Sequence, residues 1–147
     1  MSTIAIKNVA GGLESLIRNR IMATVKLPSP LERFLADRSG LTSTQLATIE
    51  LQKMVEKGEI SASKAASIRK PNRVTPGAYH HTLNQAKSNV EEAIYTLLLA
   101  DRLAILKIDD FRRLLELISK TPRSLDEVES SEVVSVVDAL VRKIVML

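Results

Sequence analysis

Cysteine and tryptophan are absent from this chain, and its aromatic residues, two Tyr and two Phe, come to 3%. Without Cys there are no disulfides, no thiolate metal sites and no thiol nucleophile, and the compartment is not marked by redox chemistry. Without large rings, the core has to be built from Leu, Ile, Val and Ala, which suits packed helices; the hydrophobic share of 45% argues against a disordered chain. No apolar run approaches the roughly 20 residues needed to span a bilayer. The opening MSTIAIKNVAGG, interrupted by Lys7, lacks a signal peptide's long apolar centre and cleavage pattern, so a soluble, intracellular protein is expected.

Catalytic equipment is equally sparse. His80 and His81 are the only histidines, and neighbours on a helix point about 100° apart, a poor geometry for gripping one metal ion. There is no Gly-rich phosphate loop, and the carboxylate pairs Asp109-Asp110 and Glu91-Glu92 read as helix-start and solvated charges. The sequence therefore predicts no enzyme, no bound metal and no cofactor.

The 147 residues suit one domain, long enough to bury about two-thirds of its unfolded surface. The net charge of +4 conceals a division. Residues 1–90 carry 13 Lys and Arg against 6 Asp and Glu, whereas residues 91–147 carry 8 against 11. Between Glu59 and Glu91 there is no acidic residue at all, yet Lys64, Arg69, Lys70, Arg73 and Lys87 lie there. A basic front of this kind suits a polyanion, although it also serves simply to keep a protein soluble.

Along the chain, residues 1–12 give no pattern. Leu13, Leu16, Ile17, Ile21 and Val25 follow a helical period that Pro28 and Pro30 stop. Ser29, Pro30 and Glu32 read as cap, first residue and capping-box partner of a helix through Asp37, closed by Gly40. Thr42 and Gln45 repeat the start signal for Ser43 to Lys57, with Leu46, Ile49 and Val55 on one face and Gly58 at the end. Ser61 opens a short helix in which Ala65 and Ile68 are the buried candidates. Beyond residue 100, a break near Lys107 precedes a helix capped by Asp109 with Phe111, Leu114, Leu115 and Ile118 inward, ended by Thr121-Pro122. Ser124 or Ser131 starts a last helix striped by Val133, Val137, Leu140, Val141 and Ile144.

The most informative stretch is Val74 to Ala100. Thr75 caps, Pro76 takes the first helical position and Val74 staples onto Tyr79. Tyr79, Leu83, Ala86, Val90, Ala93 and Leu97 then form one seam. The first half is otherwise small, polar and basic, and the second broadens into Ile94, Leu97, Leu98 and Leu99, which predicts a helix exposed at its start and buried at its end.

Two short helices, a turn and a capped third helix with an acid-free front have the layout of a helix-turn-helix, whose last helix enters the DNA major groove. Ala65, Ala66 and Ala78 supply the small residues needed where helices cross. LTSTQLATIELQKMVEKGEISASKAASI followed by VTPGAYHHTLNQAKSNVEEAI resembles the region-four helix-turn-helix of bacterial sigma factors and the related module of archaeal Tfx-type regulators. The likeness is carried by Leu41-Thr42, the Gly58-Glu59-Ile60-Ser61 break, Ala65, Ile68 and Val74-Thr75, with Tyr79, Leu83, Ala86 and Val90 in core positions. It covers about residues 41–94. The chain departs from the compact motif by inserting RKPNR before Val74.

The resemblance implies double-stranded DNA as partner and transcriptional regulation as function. Within it, Lys64, Arg69, Lys70, Arg73 and Lys87 position the module on phosphates, and Thr75, His80, His81 and Asn84 lie nearest the bases, with Asn84 able to pair bidentately with adenine. Gly77 lets backbone approach closely. Five neutralised phosphates give a log–log salt slope of about −4 to −5.

The expected architecture is an all-α, multi-helix protein: an N-terminal arm and helices over 1–40, the helix-turn-helix with its long recognition helix over 41–94, and C-terminal helices over 95–147. The last part holds more aliphatic surface than core completion requires, which suggests a homodimer; no membrane is expected as a partner. The expected location is cytoplasmic, on the nucleoid. Two rival readings are a helical coat on nucleic acid without sequence preference, as in nucleoid, viral-coat or ribonucleoprotein subunits, and a protein-interaction module.

Overall fold

Four local caps punctuate the chain between Ser29 and Thr75, and each begins a helix. A computed structural model describes residues 29–69 and 74–147. Its helices are α1 (Pro30–Arg38), α2 (Ser43–Glu56), α3 (Ala62–Ile68), α4 (Pro76–Arg102), α5 (Ile108–Lys120) and α6 (Glu127–Ile144). Among the described residues there is no strand, only an isolated bridge between Leu106 and Val145. The protein is all-α. The helix expected over Leu13–Val25 lies outside the described residues, as do Lys70 and Arg73.

The starts follow from side-chain oxygens meeting free N–H groups. Glu32 N donates to Ser29 Oγ at 3.3 Å, and Lys64 N to Ser61 Oγ at 3.1 Å. At α2 the capping box is reciprocal: Gln45 N donates to Thr42 Oγ1 and Thr42 N to Gln45 Oε1, both at 3.1 Å. The helix ends where Gly58 adopts a φ of +75°. Gly58 N then reaches Val55 O at 3.0 Å and Glu59 N reaches Met54 O at 2.9 Å, satisfying two carbonyls the helix leaves open.

Other boundaries differ from the sequence reading. Ser39, extended, ends α1, so Gly40 is not its cap. Lys107 rather than Asp109 precedes α5, and Asp109 and Asp110 sit in its first turn, each paired with an arginine three residues on. Asp126 caps α6, its Oδ1 accepting from Glu129 N at 2.8 Å. The turn after α4 is made by Ala104 at a φ of +59°, an unusual conformation for a residue with a Cβ.

Two compact units share α4. The first comprises Leu41–Ala86 among the described residues, and its core is Leu51, Ala65, Ala66, Ile68 and Tyr79, flanked by Met54, Val55, Ile60 and Val74. The face that α2 buries is Gln45, Ala47, Thr48 and Leu51, not the expected Leu46 and Ile49, which are only partly covered. Thr48 tolerates burial because its hydroxyl donates to Thr44 O at 2.8 Å.

The second unit comprises residues 29–40 and Lys87–Leu147. Here α1 and α5 pack on α6, around Leu31, Leu106, Leu114, Val137 and Ile144. The chain end is tied in by Lys107 N donating to Ile144 O at 2.9 Å and Met146 N to Ile105 O at 2.8 Å. Phe111 and Ile118 lie against this core as expected, but Leu115 and Val141 face solvent. From α4 only Leu97 and Ala100 join it. Ile94, Leu98 and Leu99 are exposed, so the expected burial of the helix's second half does not occur.

Candidate nucleic-acid interface

The candidate interface begins at Val74. Val74 N donates to Ala66 O at 3.2 Å, tying the start of α4 to α3. Ala78 N then donates to Thr75 Oγ1 at 3.2 Å and Tyr79 N to Thr75 O at 2.9 Å. Pro76 occupies the first helical position, where its lack of an N–H costs nothing. Val74 packs against the core cluster to which Tyr79 belongs.

Tyr79 anchors α4. Its side chain is fully buried, and its hydroxyl lies 3.3 Å from Thr48 O and 3.2 Å from Gln52 Oε1. One hydroxyl proton serves one of these acceptors at a time. Burial pushes the phenol up to about 12; nearby Arg69 opposes the rise and Glu56 adds to it. A phenol held protonated by the fold contributes its full stability below its unfolded value of 10 and loses it as pH climbs towards 12. The loss amounts to about 2–3 kcal/mol over that window. Urea unfolding at neutral and strongly alkaline pH measures it, and Tyr79→Phe is expected to flatten that part of the profile.

Arg69 corrects the sequence reading. It is 8% exposed, and its Nη1 donates to Thr82 Oγ1 at 2.9 Å, while Thr82 Oγ1 donates to Ala78 O at 3.1 Å. The guanidinium thus fastens the end of α3 to the second turn of α4 and is not a surface contact for phosphate. Ala78 also departs from expectation: it is exposed and takes no part in the helix crossing, which Ala65 and Ala66 make.

The remaining described candidates lie at the surface. Thr75, Gly77, His80, His81, Asn84 and Lys87 are exposed, and Lys64 on α3 is partly so. Gly77, His80, Asn84 and Lys87 are spaced by three, four and three, which gathers them on one side of α4 with His81 beside them. His80 is steadied by an edge-to-face contact with the Tyr79 ring, centroids 5.8 Å apart at 82°. A Cβ at Gly77 would meet nothing nearer than Thr75 Oγ1 at 4.0 Å. The protein's own packing therefore does not demand glycine there, and the open space is available to an approaching backbone. With no acidic residue in its first turn, the N-terminus of α4 keeps the partial positive charge that favours phosphate.

No protein-family model, curated protein or solved structure matches this chain. The interface is accordingly argued from its own residues. Gln85, given no role in the sequence reading, is exposed beside Asn84 and has the same bidentate amide; its place outside the apolar seam was the available signal. Among the described residues no group of three or more His, Asp or Glu side chains is arranged to hold a metal ion, and no helix is long and apolar enough to cross a membrane.

Proposed function

We propose that this chain is a sequence-reading DNA-binding protein, a transcriptional regulator that lays the first half of α4 in the major groove and acts as a homodimer. The observation that carries the reading is the division of labour on that helix. Tyr79 and Ala86 are buried, while Gly77, His80, Asn84 and Lys87 stand exposed together. A helix fastened at its first turns and offering amides and imidazoles to solvent is what base-edge recognition requires.

The acid-free run from residue 60 to residue 90 supports it by leaving nothing to repel phosphate. So does the likeness to the sigma region-four and Tfx-type modules. With Arg69 engaged on Thr82, the phosphate contacts reduce to Lys64, Lys87 and, on sequence alone, Lys70 and Arg73. The proposed salt slope falls accordingly to about −3 to −4.

Selection from a pool of random duplexes tests sequence reading. A recurring motif, palindromic for a symmetric dimer, is the expected outcome. Retention of the pool without enrichment would replace the reader by a coating protein.

A further inference from the structure

The outward side of the second half of α4 is apolar: Ile94 is 53% exposed, Tyr95 69%, Leu98 58% and Leu99 58%. Leu97 and Ala100 face the core of the same unit, so these four side chains have no cover from it. Contiguous exposed apolar residues on a soluble protein mark an interaction surface.

The pattern of charges names the occupant. Glu91, Tyr95, Leu98 and Arg102 are spaced by four, three and four, the spacing of a coiled-coil seam. Read in reverse, that seam complements itself. Two copies aligned antiparallel bring Glu91 opposite Arg102 and Tyr95 opposite Leu98, with Ile94 lining one flank of the seam and Leu99 the other. A parallel alignment sets Glu91 on Glu91 and Arg102 on Arg102, which like charges disfavour. Glu92 and Asp101 fall on opposite flanks of the helix, so the antiparallel alignment does not bring them together. Among the described residues neither Glu91 nor Arg102 has an ion-pair partner in its own chain.

The geometry points to a second copy of this chain as the partner of this face, paired antiparallel through Glu91, Tyr95, Leu98 and Arg102. This specifies the dimer surface and does not depend on DNA binding. Two-fold symmetry makes each contact occur twice, so one substitution removes two.

Sedimentation equilibrium of the full chain without nucleic acid tests it, with helicity followed by circular dichroism. The native chain is expected to dimerise at micromolar concentration. Glu91→Arg and Arg102→Glu each weaken association about tenfold, and the double variant regains it. Leu98→Ala removes apolar contact without touching charge and weakens association by a similar factor. A monomeric native chain, unchanged association in Leu98→Ala, or a double variant no better than the single ones would each overturn the proposal. Because no DNA enters the experiment, its failure is separate from any failure of the reader.

Discussion

Tyr79→Ala is expected to lower the stability of the protein by about 3–5 kcal/mol, the usual cost of emptying a large aromatic site. The ring is fully buried among Leu51, Ala65, Ala66 and Ile68, so it packs α4 onto α2 and α3. Truncation leaves a cavity and also strips the hydroxyl from Thr48 O and Gln52 Oε1. Tyr79→Phe isolates the second effect and is expected to cost about 1 kcal/mol, since Thr48 O then loses a buried partner. Urea unfolding followed by circular dichroism separates the two. Equal midpoints for the alanine variant and the native protein would mean that Tyr79 is not the anchor.

The second large effect concerns binding. Changing His80, Asn84 and Lys87 together to Ala is expected to lower affinity for the preferred duplex by about 100-fold or more while leaving the unfolding midpoint unchanged, because all three are exposed. The parts behave differently. Asn84→Ala relaxes sequence preference at its position by about 1–3 kcal/mol, whereas Lys87→Ala weakens all duplexes alike and reduces the salt slope by about 1. Arg69→Ala is the contrasting control: its guanidinium is buried against Thr82, so it is expected to lower stability without lowering the slope. Fluorescence anisotropy on the selected motif and a scrambled duplex reads all of these.

The helix starts were legible because a cap is written in three or four neighbouring residues. Ser29, Thr42 with Gln45, Ser61 and Thr75 each carry the oxygen that the first turn needs. Tyr79 was legible as part of a seam, though its depth was not. Burial was harder to read, because periodicity states which residues share a face and not which face meets a neighbour. Thus Thr48 is buried and Leu46 only partly so, and the leucine-rich end of α4 lies open where composition suggested a core. Arg69 shows the same limit for charge. An arginine in a basic run looks identical whether it faces solvent or fastens two helices, and only the placement of Thr82 distinguishes them. Ala104 turns with a positive φ that sequence reading assigns to glycine, and Asp126 caps α6 where a serine was expected.

The central claim is that the exposed start of α4 reads duplex DNA. Its most direct test is a titration of the full chain against random duplex, single-stranded DNA and structured RNA at two salt concentrations. The account predicts preference for duplex with a log–log slope of about −3 to −4, lost in the His80, Asn84 and Lys87 triple variant. Absence of duplex binding at moderate salt, or binding that the triple variant retains in full, would contradict it.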